Sequence, residues 1–257
     1  SCCFANFRFK IMIASLQMYK RPELMEAHAR FWSLINQSLM ELGINAPREL
    51  NQDKEVMEVW TDPDLVLSQT CGMPYRKFLH EKVNIVGTPI YDLRNCAPGY
   101  YYSCIVVRKN QIGNDLSDLS HKRFAFNEEI SQSGYAAPLT HAAKKGLHLL
   151  NRIKSGSHRD SAKMIADGKA DFGALDALSW KLIQQHDAFA SQLRVLEVTE
   201  PVTPGLPYIT SLKHNSEIVF TAIKTAIYNL PKDDQDALCI KGILKIPVSD
   251  YLKVPDF

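Results

Sequence analysis

Between residues 123 and 198 the chain alternates short apolar strands with amphipathic helices, and that alternation leaves few folds open. A strand at 123–127 leads to a helix at 133–147. A break at 154–157 opens a helix at 158–167, followed by a strand at 170–174, a helix at 176–185 and a strand at 193–198. Strands separated by helices of this length predict parallel α/β units, because a parallel neighbour needs a long crossover. Before this block the pattern predicts strands at 7–15, 56–60, 65–68, 82–88 and 100–109. A long amphipathic helix at 21–42 ends at Gly43. After the proline-rich stretch 201–207 come an apolar segment at 208–211, helices at 216–229 and around 232–240, and a tail, 246–257, expected as surface strand or coil. Two α/β blocks result, about 1–104 and 105–198. The chain from 199 onward is either a third unit or a return to the first.

A chain of 257 residues is long enough for one large or two medium domains with a substantial core. Thirty basic and 28 acidic residues leave a formal charge of +2. With no basic tract or stripe, nucleic acid is not an expected partner. No apolar run reaches the length of a membrane span. The N-terminal apolar stretch is interrupted by Arg8 and Lys10, so it is not a signal-peptide core. That leaves a cytoplasmic location, or a periplasmic one with the signal removed. Six cysteines show no CxxC pair and no zinc spacing. Cys104 reads as a small buried hydrophobe, whereas Cys71 and Cys96 lie in Gly/Pro-bearing loops and are candidates to pair in an oxidising compartment.

Chemistry concentrates where strands hand over to helices. Ser131-Gln132-Ser133-Gly134-Tyr135 opens one helix, and Ser155-Gly156-Ser157-His158 opens the next. The first N–H groups of a helix have no intrahelical acceptor, and its dipole favours negative charge there. Two Ser/Gly-rich starts close together therefore suggest one anion held between them. Plain capping by serine is the alternative at either junction alone. Open α/β sheets bind ligands at the carboxyl ends of their strands, and the polar features at Tyr19, at 68–75 and at 131–135 all follow predicted strands.

These residues resemble a known family. The segments 101–107, 131–135 and 156–158, followed by Gly168-Lys169-Ala170-Asp171-Phe172-Gly173-Ala174, occur in the order and spacing of the phosphate/phosphite/phosphonate substrate-binding proteins of ABC importers, across about residues 60–212. The resemblance implies the type II periplasmic-binding-protein fold: an α/β protein of two lobes with the ligand cleft between them. One lobe would be discontinuous, 1–104 plus 199–257, the other 105–198, with crossovers near 103–109 and 195–201. It implies that a phosphoryl group is gripped by Ser131 and Ser133, by His158 and by Tyr101. Tyr75 is a looser match. Gln132 stands where the family usually has threonine. Gly134, Tyr135, Ser157 and Asp176 complete the candidate ligand-binding set, although Asp176 also suits a plain helix cap. Tyr19, Tyr100, Tyr102 and Trp180 are weaker lining candidates that read rather as packing residues, and Arg76 and Arg159, candidates to add charge, read rather as solvated faces. No metal and no cofactor are expected. The implied partners are a small oxyanion (phosphate, phosphite or phosphonate) and an ABC permease.

No nucleophile elbow, P-loop or metal-ligand spacing is present, so a binding protein is expected rather than an enzyme. Two alternatives remain open. The same fold can bind a phosphorylated or heterocyclic metabolite, such as a thiamine-precursor pyrimidine, in sensing. An α/β hydrolase or transferase is the other.

Overall fold

The computed structural model describes residues 12–257; most of the N-terminal strand expected at 7–15 lies outside them. In chain order the elements are β1 (Ile13–Ser15), α1 (Met25–Glu41), α2 (Val56–Trp60), β2 (Leu65–Gln69), α3 (Gly72–Pro74), β3 (Val83–Tyr91), β4 (Tyr100–Tyr101), β5 (Ser103–Arg108) and β6 (Phe124–Phe126). Then follow α4 (Ala137–Lys144), β7 (Arg152–Lys154), α5 (His158–Ala166), β8 (Phe172–Asp176), α6 (Ala177–His186), β9 (Leu193–Val198) and β10 (Thr203–Pro204). The chain closes with β11 (Tyr208–Ser211), α7 (Ser216–Asn229), α8 (Lys232–Ala237), β12 (Ile240–Leu244) and α9 (Val248–Leu252).

Two five-stranded sheets organise these elements, one in the order β1-β2-β11-β3-β12 and the other β7-β6-β8-β5-β9. The chain leaves the first sheet after β3 and returns to it at β11. On both passages it runs through a two-stranded antiparallel ribbon, in which Tyr101 faces Thr203 and Tyr100 faces Pro204. The strands at 103–108 and 193–198, near the expected crossovers, are themselves paired members of the second sheet. The ribbon that joins the two halves lies just outside them.

Each sheet carries its own core. Helices α1 and α7 pack on the first sheet through Phe31, Ile35, Leu39, Val219 and Ile223, all nearly inaccessible to water. The second sheet buries Phe124, Phe172 and Leu139 on one face and Ala162, Ile165 and Ile183 on the other. Each large aliphatic or aromatic side chain so removed from water contributes about 1.5–3 kcal/mol.

Four expectations change. The segment 56–60 is helical: Val59 and Trp60 are buried together, and five residues are too few to separate a period of 2 from one of 3.6. β7 is a short, largely exposed edge strand whose Arg-Ile-Lys sequence carries no apolar signal. After α8 the chain turns through Cys239 at φ +53° and enters β12, antiparallel to β3, instead of staying helical to 240. The tail holds α9, whose Tyr251 is buried and donates to the Gly205 carbonyl at 3.0 Å. Strand direction also departs from a purely parallel pattern. β1–β2, β6–β7 and β6–β8 are parallel, but β5 runs antiparallel to both its neighbours and β11 to both of its own. Cys71 and Cys96 are free thiols, not a disulfide.

Candidate functional site

The two serine-rich junctions meet. After β6 the chain turns at Ser131, and 132–136 form a wide helical turn, closed by the Ala136 N–H on the Ser131 carbonyl, that runs straight into α4. Ser131 caps this start: its hydroxyl accepts the Gly134 N–H at 3.0 Å. The Ser133 hydroxyl lies 3.0 Å from His158 Nε2, the first residue of α5. Ser103 on β5 fixes the turn from behind by donating to the Ser133 carbonyl at 2.8 Å. Gly134 permits this closeness, since a Cβ there would fall 1.9 Å from Asn127 Oδ1 and 3.1 Å from His158 Cε1.

Between the two sheets lies a cavity of about 170 Å³. Its polar lining includes Ser131, Ser133, His158, Asn127, Asp176 and Tyr19, and its apolar lining includes Met18, Trp60, Pro74 and Leu206. A wider cleft of about 480 Å³ adjoins it and shares Met18, Tyr19, Asn127 and His158. Lys20, Arg21 and Arg159 line that outer cleft.

The electrostatics of the inner cavity are set by burial. Burial pushes the His158 imidazole down to about 4, with the Ala174 backbone countering in part; at neutral pH the ring is uncharged. Its Nδ1 is buried without a hydrogen bond of good geometry, as is Asn127 Oδ1. Burial raises the Asp176 carboxyl to about 6 against the opposing pull of the Ser179 N–H, the Tyr19 hydroxyl and the Leu178 N–H. Asp176 caps α6: Oδ1 accepts the N–H groups of Leu178 (2.8 Å) and Ser179 (2.9 Å), while Oδ2 accepts the Tyr19 hydroxyl at 2.8 Å. The Tyr101 hydroxyl is likewise buried without a good partner, beside Cys71 and Ser133.

Not every candidate reaches this cavity. Gln132 is buried but turned away. Its Oε1 accepts from both Arg76 terminal nitrogens at 3.3 Å, and its N–H donates to Cys71 Sγ. Tyr75 sits in the first sheet's core against Tyr251, ring centroids 5.7 Å apart. Tyr135 packs on Phe126 and Phe257, and its hydroxyl accepts from Arg152. Ser157 spends its hydroxyl on Asp160, accepting from the backbone N–H at 3.0 Å and donating to the carboxylate at 2.7 Å. It borders only the outer cleft. Trp180 is core, as expected. Tyr19, expected as packing, instead lines the cavity. The sequence signal for it is its place just after a predicted strand; in the structure its φ is +60°, a left-handed conformation rare for a bulky residue. Trp60, Met18 and Leu206 have no sequence signal that separates them from ordinary core residues.

Comparison with known proteins now bears on this geometry. A family model described as the periplasmic substrate-binding protein of phosphonate ABC transporters matches residues 68–246. The chain belongs to this family. Its members are transport proteins that bind a substrate, not enzymes. Three solved structures are similar to this phosphonate-family chain. PhnD1 from Prochlorococcus marinus (MIT 9301), in complex with methylphosphonate, has a TM-score of 0.71 at 19% identity, covering 93% of this chain and 94% of PhnD1. PA3383 from Pseudomonas aeruginosa, a binding-protein component of an ABC phosphonate transporter, has a TM-score of 0.69 at 14% identity, covering 94% and 82%. XAC2383 from Xanthomonas citri, bound to ATP, has 0.69 at 12% identity, covering 93% and 92%. These likenesses establish the two-lobed fold. Among curated protein sequences no match was found. Within the family frame, the inner cavity lies where the two lobes face each other. Tyr19 and Cys71, from the half that carries the first sheet, hydrogen-bond to Asp176 and Gln132 in the half that carries the second. Among the described residues no helix is long and apolar enough to cross a membrane.

Proposed function

We propose that this phosphonate-family protein binds a small phosphate-like oxyanion or phosphonate in the inner cavity and delivers it, on the periplasmic side, to an ABC permease. The observation that carries this reading is the convergence of two helix starts on one cavity, with the Ser133 hydroxyl 3.0 Å from His158 Nε2. The oxyanion would lie against Ser131, Ser133 and His158, with Tyr101, which stands beside Ser133 and does not itself line the cavity, as a further donor, and with the Ser133 N–H and the helix dipoles adding positive potential. Charge-assisted hydrogen bonds of this kind contribute about 1.5–3 kcal/mol each. The apolar wall of Met18, Trp60, Pro74 and Leu206 suits a short alkyl substituent. Lys20, Arg21 and Arg159 line the outer cleft, where Arg21 and Arg159 are both paired with Asp187. On this reading residues 1–104 plus 199–257 form one lobe and 105–198 the other, and the hydrogen bonds of Tyr19 and Cys71 across the cleft belong to a closed form.

Titration calorimetry on protein stripped of ligand, against phosphate, phosphite, methylphosphonate and sulfate, tests the proposal. Binding of phosphite or methylphosphonate is expected, and binding of none of the four overturns it. A second reading, a larger phosphorylated or heterocyclic metabolite bound for sensing, draws support from the open continuity of the inner cavity with the 480 Å³ cleft. Mass spectrometry of the molecule that co-purifies separates the two.

A further inference from the structure

Beyond α9 the chain crosses from the half that carries the first sheet to the turn 132–136 of the other half. Val254 and Pro255 lie against Gln132, Thr140, Pro201 and Thr203, leaving a gap of only about 10 Å³. The Asp256 carboxylate accepts from Arg76 Nη2 at 3.2 Å and pairs with Lys77 Nζ at 2.9 Å. The Phe257 ring stands edge-on to Tyr135, centroids 5.2 Å apart, and Tyr135 in turn rests on Phe126. Arg76, from the helical turn 75–79, links this segment to Gln132. Its side chain is 8% exposed, and it donates to Gln132 Oε1 through both terminal nitrogens at 3.3 Å. Among the described residues Asp256 is its one ionic partner. A buried guanidinium left without its carboxylate is costly, so Asp256 also keeps Arg76 in place against Gln132.

These contacts converge on both flanks of Ser133. Gln132, immediately before it, is held through Arg76, and Tyr135, two residues after it, is held by Phe257. None of residues 253–257 lines the inner cavity or the outer cleft. A wide helical turn is a rare backbone form, met mostly as single turns at functional sites, and this one carries Ser133 at its second position. We propose that residues 254–257 form a strap that sets the aim of this turn: by pinning Gln132 through Arg76 and Tyr135 through Phe257, it keeps the Ser133 hydroxyl and N–H directed into the cavity and slows the escape of a bound anion. This rests on the proposal that the cavity binds a phosphate-like oxyanion. The strap residues are positioning residues and touch no ligand. Pre-organised groups raise affinity by lowering the ordering cost of binding, and among variants of one site such gains fall mostly on the dissociation rate. The two pins differ in kind. The Asp256 pair is 54% exposed on the carboxylate side and is weakened by salt, whereas the ring contact is not.

Trp60 lines the cavity, so stopped-flow tryptophan fluorescence follows methylphosphonate binding to protein stripped of ligand. Phe257 is half exposed, and Phe257→Ala retains the fold. It should release methylphosphonate about tenfold faster, with association within about twofold of wild type. Phe257→Tyr keeps the ring and should behave as wild type. Asp256→Asn should release the ligand about two- to fivefold faster, and Asp256→Glu should restore the wild-type rate. Removal of residues 254–257 should exceed either single change. In ligand-free protein, amide hydrogen exchange at 132–136 should quicken in Phe257→Ala while β6 and α5 keep their protection. A merely structural contact would lower the melting temperature without changing the release rate or confining the faster exchange to the turn. The proposal is overturned if Phe257→Ala or the removal releases methylphosphonate at the wild-type rate, if Phe257→Tyr is as impaired as Phe257→Ala, or if exchange at the turn is unchanged. The exchange measurement needs no ligand. Failure of every oxyanion to bind wild type therefore overturns the functional reading itself, a result distinct from unchanged exchange at the turn, which overturns the strap.

Discussion

The two serine-rich helix starts look alike in composition and do different work. At 131–134 the capping task falls to Ser131, which leaves the Ser133 hydroxyl two residues on free to face His158. At 155–158 both hydroxyls are consumed by the protein. Ser157 closes on Asp160, and Ser155 bonds the Phe126 and Ser157 carbonyls and the Ser161 hydroxyl. There the group presented to the cavity is the imidazole of the first helical residue. A helix start can thus serve a ligand only with what its own capping leaves over, and the two junctions leave over different groups, a hydroxyl and a ring.

The substitution with the largest expected effect is Gly134→Ala. Its Cβ must displace Asn127 and crowd His158, costing about 1–3 kcal/mol of stability and, by disturbing both junctions at once, about 100-fold or more in methylphosphonate affinity. Thermal melts and calorimetry read both. Ser133→Ala and His158→Gln should each weaken binding by about 10- to 100-fold, measured as Kd by calorimetry. If Ser133→Ala binds like wild type, the hydroxyl left over at the first junction has no ligand role and the contrast with the second disappears.

Acidity offers a sharper probe. His158 is held neutral, at about 4 against an ordinary value of 6.5, so the unfolded chain binds more protons and stability falls as pH drops from 6.5 toward 4. Asp176 is raised from 3.8 to about 6, so the native state binds more protons and stability falls as pH rises through that window. In wild type the two slopes oppose each other. Relative to wild type, melting temperature between pH 4 and 6 should therefore climb more steeply with pH in Asp176→Asn and less steeply in His158→Gln. Equal slopes in the two variants would mean that the burial of one or the other group has been misassigned. The smallest effect on binding is expected from Ser157→Ala. Losing a cap costs about 1 kcal/mol of stability and leaves affinity within about twofold; a large loss of affinity there would make the two junctions equivalent after all.

Local signals were enough for much of the fold. The run Leu65–Gln69 and the strands β6 and β8, buried at every position, are visible as continuous apolar runs, and the helix Ser216–Asn229 is visible because it buries one face at helical period. The segments that misled are those with no such face, such as the exposed Arg-Ile-Lys edge strand, or those too short to show a period, such as Val56–Trp60. For the site, Ser133 and His158 follow from residue type and position at a helix start. Gln132 and Tyr135, immediate neighbours in the same motif, do not, because a wide turn aims successive side chains in different directions. One goes to Arg76 and the other to Phe257.

What the sequence determined by itself was therefore the inventory: two helix starts rich in hydroxyls and glycine, a histidine in the second, and enough strand–helix alternation to require an α/β fold. That much is local, since capping and amphipathic period act over a few residues. Only the tertiary structure decided that Tyr19 reaches Asp176 across 157 positions of chain, that the ribbon of β4 and β10 brings Tyr101 beside Ser133, and that among the described residues no lysine or arginine lines the inner cavity. These depend on how two separately cored sheets face one another, and the burial that this produces, not the residue types, shifts the acidity of His158 and Asp176.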